Sequence, residues 1–169
     1  MEPQTAPIFN SPADLCAFFH DDAEGFGDMC MRVMESLGYV DGRTRIDGKK
    51  FYATFQHDIV RCVFQCGNMP YKEQISARDI YDAKEFFKGA SYSTYITGSV
   101  FQPAALDYAR KCDVHPVDGR LLILLLRKAN LLDMQGHYRM KIEKKDTGVS
   151  VNNMQRMDPS KFIRTNRKP

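Results

Sequence analysis

Apolar residues recur along this chain in two rhythms, and the switches between them mark its elements. Leu15, Phe18 and Phe19 follow Ser11-Pro12-Ala13-Asp14. Ser11 suits a helix cap, Pro12 gives up no needed N–H at the first helical position, and Asp14 is favourable in the first turn. Gly25 and Gly27 predict a break, after which Met29, Val33, Met34 and Leu37 give a second helix from about Asp28 to Leu37, stopped by Gly38. Val40 to Phe55 carries turn signals at Asp41-Gly42 and Asp47-Gly48 and a strand-like Phe51-Tyr52-Ala53-Thr54-Phe55, a hairpin or meander. Residues 59–66 are apolar on both parities. Val60, Cys62, Phe64 and Cys66 share one face, and Ile59 and Val63 lie with Arg61 and Gln65 on the other, the mark of a central strand.

Beyond Ser76, strand and helix alternate. Ser76 to Lys88 predicts a helix with Ile80, Ala83, Phe86 and Phe87 inward, Ser93 to Val100 a strand, and Pro103 to Lys111 a helix. Val114 to Val117 predicts a short strand, and Asp118 caps a helix from Gly119 to Leu131. Such alternation implies crossover units, a partly parallel sheet and an α/β fold. His137 to Glu143 alternates polar and apolar residues as an added strand would.

At 169 residues, 43% apolar and 27% charged, the chain has one-domain length and the composition of a soluble globular protein. No apolar run approaches the roughly 18 residues of a membrane span. Met1 to Pro12 has no Lys or Arg and resembles neither a secretory signal nor a transit peptide. Cys16, Cys30, Cys62, Cys66 and Cys112 are odd in number and scattered, which predicts buried thiols and an intracellular, reducing compartment.

Charge is unevenly placed. Residues 134–169 hold nine Lys/Arg against three Asp/Glu, a net of +6, whereas residues 1–133 are net −3. The basic residues are Arg139, Lys141, Lys144, Lys145, Arg156, Lys161, Arg164, Arg167 and Lys168, with Tyr138 and Phe162 among them. Basic residues with an occasional aromatic suit backbone contact and base stacking on nucleic acid. They equally suit an arm against an acidic protein surface, or a solvated terminus.

Other chemistry is sparse. Cys62 and Cys66 stand about 13 Å apart along a strand, too far to share one zinc. Cys112, Asp113 and His115 have no second ligand pair, and His57-Asp58 assembles into no nucleophilic dyad with a cysteine. No Gly-rich phosphate loop is present.

From about Asp28 to Leu132, six short motifs fall in one order. They are Gly38-Tyr39, Asp47-Gly48, Val63-Phe64-Gln65-Cys66, Ile96-Thr97-Gly98, Phe101-Gln102-Pro103-Ala104-Ala105 and Val117-Asp118-Gly119-Arg120-Leu121-Leu122. Together they resemble the Mrr-like branch of the restriction-endonuclease superfamily. The resemblance implies a mixed central sheet flanked by helices over residues 28–133, a helical extension at 1–27 and a basic arm at 134–169. In that family an Asp at the end of Asp-Gly-Gly-Val-Asp and a Glu or Gln hold Mg²⁺, which polarises the phosphate, and a Lys one spacer further orients the attacking water. Laid on this chain, the remnant positions are Asp47 in the hairpin, Phe51 for the metal-binding Asp, Gln65 for the second ligand and Gly67 for the Lys.

That pattern implies a catalytically inactive nuclease fold with no metal and no cofactor, acting as a nucleic-acid-binding or scaffolding subunit of a larger assembly such as a ribonucleoprotein. One alternative is an active endonuclease with Mg²⁺ on Asp47 or Asp58 and Lys49 or Lys50 as a relocated lysine. The other is a subunit that contacts only protein.

Overall fold

The structure, a computed structural model, describes residues 6–67 and 74–140. Two helices come first, α1 (Pro12–Phe18) and α2 (Ala23–Ser36). A meander follows, β1 (Arg43–Asp47), β2 (Lys50–Phe55) and β3 (Val60–Gln65). The chain then runs through α3 (Ala77–Asp82), α4 (Lys84–Phe87), β4 (Tyr92–Thr97), α5 (Pro103–Lys111), β5 (His115–Val117) and α6 (Gly119–Lys128). The sheet order is β1-β2-β3-β4-β5; the first two pairings are antiparallel and the last two parallel. The fold is the α/β sandwich that the alternation implies.

Each sheet face is covered by its own helices. On one side α2 lies on β2 and β3 and α6 on β4 and β5, and the core joins Phe26, Met29, Val33, Phe51, Phe55, Phe64, Ile96 and Leu126. On the other, α3, α4 and α5 enclose Tyr52, Val63, Ile75, Ile80, Phe87, Tyr95 and Phe101. β1 lies beyond this roof, and all five of its residues are exposed.

Local chemistry sets the ends of the elements. Ser11 and Asp14 form a capping box on α1, as do Ser76 and Asp79 on α3, and the Asp118 side chain accepts the Leu121 N–H at 3.0 Å. Pro116 sits in β5, an edge strand, where a missing N–H is tolerated. Arg61, a charge on the central strand, donates to the carbonyls of Asp58, Phe86 and Lys88 and so ties α4 to β3.

Several expectations need correction. Gly25 and Gly27 do not break a helix; α2 runs through both, with the Asp22 carboxylate accepting the Gly25 N–H at 2.9 Å. Gly27 is required by a close approach, because a Cβ there would lie 2.0 Å from the Phe51 ring. The helix over 76–88 is two pieces, since the backbone leaves helical geometry at Ala83 (φ −101°, ψ 2°). The strand expected to reach Val100 ends at Thr97. Cys112 is exposed at the end of α5, whereas the other four thiols are buried.

The flanking segments join the same core. Phe9 is fully buried against Tyr138 (ring centroids 5.4 Å apart), and the backbones of Pro7–Phe9 and Gly136–Tyr138 exchange hydrogen bonds. Tyr138, expected among tail residues free to stack, is therefore a core residue whose hydroxyl accepts from Arg32 at 2.8 Å. The strand expected over 137–143 is represented by isolated bridges, Ile8 with His137 and Leu132 with Tyr138; residues 141–143 lie outside the described residues.

Candidate functional site

The site is built where β3 and β4 end, at the carboxyl edge of the parallel strands, where ligands gather in open α/β sheets. Strand register decides which side chains meet there. Phe51 pairs with Phe64, so one step further Lys50 lies across from Gln65. Asp47 pairs with Lys50, and Gln65 with Thr97. Directly paired residues point to the same face, so Asp47, Lys50, Gln65 and Thr97 form a row across four strands.

Each inner member of the row already has a hydrogen-bond partner. The Tyr95 hydroxyl donates to Gln65 Oε1, and both groups are buried. Burial raises the Tyr95 pKa well above that of an exposed phenol, and the Asp79 charge raises it further, so this hydroxyl remains a donor. Lys50 Nζ donates to the Asp79 carbonyl at 3.0 Å. The Asp79 carboxylate is occupied at the head of α3, where Oδ2 accepts from Ser76 N at 2.8 Å and Ser76 Oγ at 3.1 Å. Thr97 Oγ1 donates to the Cys66 carbonyl at 3.2 Å. Only Asp47, at the exposed edge, offers a carboxylate to solvent.

Two of the four remnant positions cannot take the roles the family pattern gives them. Phe51 is on the opposite face from Gln65, 3% exposed and stacked on Phe64 at 5.8 Å. The motif spacing gives Phe51 the metal position, but the strand register places Lys50, not Phe51, on the face of Gln65. Gly67 adopts φ 97°, a left-handed conformation that a lysine would hold only under strain. Asp58 lies in the turn before β3, seven residues from Gln65 and so roughly 20 Å along the strand. It cannot join the row. Its neighbour His57 pairs with Asp41 at 3.0 Å.

The Mg²⁺ implied by the family pattern does not fit this donor set. A divalent ion needs several hard oxygens, and the row offers one exposed carboxylate and an amide oxygen that already accepts a hydrogen bond. Among the described residues no group of three or more His, Cys, Asp or Glu is placed to hold a metal. Of the predicted basic arm only Arg139 is described; it is exposed, with its N–H bonded to the Leu131 carbonyl at 2.8 Å. Lys141, Lys144, Lys145, Arg156, Lys161, Arg164, Arg167 and Lys168 lie outside the described residues.

Sequence reasoning missed Tyr95 and placed Lys50 only as an alternative. The signal for Lys50 is present in Asp47-Gly48-Lys49-Lys50: a two-residue turn with Gly48 at its first central position, here at φ 63°, fixes Asp47 opposite Lys50. Nothing local marks Tyr95, which reaches Gln65 from the neighbouring strand.

No protein-family model matches the chain, and no curated protein matches its sequence. Three solved chains match, two of them with a TM-score above 0.5. One is a protein of unknown function, AF1548, at 16% identity and a TM-score of 0.51, covering 79% of each chain. The other is the MspJI restriction endonuclease in complex with a 27-mer oligonucleotide, at 14% identity and a TM-score of 0.51. That match covers 90% of this chain but 38% of MspJI, so this chain spans less than half the length of that enzyme. The chain therefore has a restriction-endonuclease-like fold. No helix among the described residues is long and apolar enough to cross a membrane.

Proposed function

We infer that this chain is a degenerate, Mrr-like nuclease domain that binds nucleic acid without cutting it. The observation that carries the inference is the closure of the row. Gln65 is bonded to Tyr95, Lys50 to a backbone carbonyl, and the position where the family places its lysine is a glycine in left-handed geometry. Superfolds are reused for unrelated functions, so a nuclease fold without its chemistry can serve as a binding module. MspJI, which shares this architecture, is seen with an oligonucleotide bound.

The basic residues 139–168 supply a second, sequence-nonspecific contact, and the chain works as a subunit of a larger assembly. The four buried thiols suit a reducing, intracellular setting. The test is binding of labelled DNA and RNA to the full chain at rising salt, beside a variant with Arg156, Lys161, Arg164, Arg167 and Lys168 changed to Gln. Binding that falls steeply with salt, and weakens in the variant, is expected. Failure of the full chain to bind any nucleic acid at 50 mM salt would instead favour a subunit that contacts only protein. Truncation should not begin at Asp133, because Gly136 to Met140 are pinned to Phe9 and Arg32.

A further inference from the structure

We propose that the β1–β2 hairpin is a nucleic-acid backbone grip, with Arg43, Arg45 and Lys49 contacting phosphates; this rests on the nucleic-acid reading above and names a contact surface for it. Residues 43–50 hold four cations and one carboxylate, a net of +3. With them set aside, the rest of residues 1–133 is net −6. The hairpin is thus a positive projection on an acidic body, and charge complementarity selects a polyanion.

Exposure and pairing point the same way. Residues 40–49 are exposed without interruption, and no helix covers β1. Arg78 pairs with Asp82, Arg110 with Asp107, and Arg32 and Arg61 are spent on oxygens of the fold. Arg43, Arg45 and Lys49 form no ion pair among the described residues. Arg45 is held in place, its guanidinium 4.3 Å from the centre of the Tyr52 ring, with its N–H edges left to bond outward. Arg43 and Arg45 share a face two residues apart, about 7 Å, which is close to the rise of two nucleotides along one strand. An acidic protein is less well matched: it would gain from screening the same charges but has no fixed spacing of anions to meet them.

The test measures fluorescence anisotropy of labelled single-stranded and duplex oligonucleotides against the full chain between 50 and 200 mM salt. R43Q/R45Q/K49Q is expected to weaken binding at least tenfold and to flatten the log K against log salt slope by about two to three, close to one for each phosphate that is no longer neutralised. R43Q/K49Q, which leaves the Arg45–Tyr52 stack intact, should show most of that change with an unaltered melting temperature. Unchanged affinity and slope in both variants would overturn the hairpin proposal while leaving nucleic-acid binding itself intact. Absence of binding by the unmodified chain would overturn both. Hairpin-dependent binding of polyglutamate in place of either nucleic acid would assign the surface to an acidic protein and overturn the proposal.

Discussion

The two faces of the sheet have gone in opposite directions from a common strand. On the face of α2, Phe51 and Phe64 stack beneath Gly27 in a continuous apolar layer. On the face of α3, Gln65 and Lys50 stand in a polar row in which Gln65 accepts from the Tyr95 hydroxyl and Lys50 donates to the Asp79 carbonyl. Adjacent residues of β3 thus face different surroundings: Phe64 lies in the apolar layer and Gln65 in the polar row. Apolar packing holds both faces of the sheet, under α2 and α6 on one side and under α3 to α5 on the other, and the polar row is confined to the end of the second.

Mutating both faces in parallel sharpens that contrast. The largest effect is expected for Phe51→Asp, which places a carboxylate in the apolar layer rather than beside Gln65. It should cost about 4 kcal/mol or more, or abolish folding, and confer no Mg²⁺ affinity. Urea denaturation with and without Mg²⁺ checks this; a stable variant stabilised by Mg²⁺ would show that Phe51 does face the row. Gly27→Ala should also destabilise, by about 2 kcal/mol, since its Cβ would fall on the Phe51 ring.

Tyr95→Phe should have a smaller effect, about 1–3 kcal/mol, because it leaves the Gln65 amide oxygen buried without its donor. Tyr95→Phe combined with Gln65→Leu should recover part of that loss, and a cycle of the two changes measures the coupling. Additive losses would mean that the two side chains act separately.

The smallest effect concerns the turn at Asp133. The backbone N–H of His137 bonds its carboxylate at 2.8 Å, and that of Gln135 at 2.9 Å, which together hold its pKa below the ordinary Asp value. A carboxyl whose folded pKa is depressed adds stability above its unfolded value, near 4, and loses it as pH falls through the folded value. The melting temperature of Asp133→Asn should therefore lie slightly below that of the unmodified chain at pH 6 and converge with it towards pH 2. A constant offset across that range would show that the carboxylate charge is not involved.

How much of this is legible in the sequence depends on the range of the interaction responsible. Ser11, Ser76 and Asp118 announce their helices because a cap is settled within four residues. The crossover order of β3 to β5 is written in the alternation of rhythms. Gly27 misleads because its helical cost is local while its reason, the Phe51 ring, comes from another element. Phe51, which the motif spacing names, and Lys50, which faces Gln65, are one residue apart, and in a strand one residue exchanges faces. Tyr138 looks like a tail residue because its partners, Phe9 and Arg32, are more than a hundred positions away.

The central claim is that the closed row cannot break a phosphodiester. Incubating the full chain with plasmid DNA and with single-stranded RNA, in Mg²⁺ and in Mn²⁺, tests it most directly. Bound but intact nucleic acid, with no cleavage above the metal-only control, is the predicted result. Metal-dependent turnover that disappears in Asp47→Ala would contradict it and make the exposed end of the row an active site.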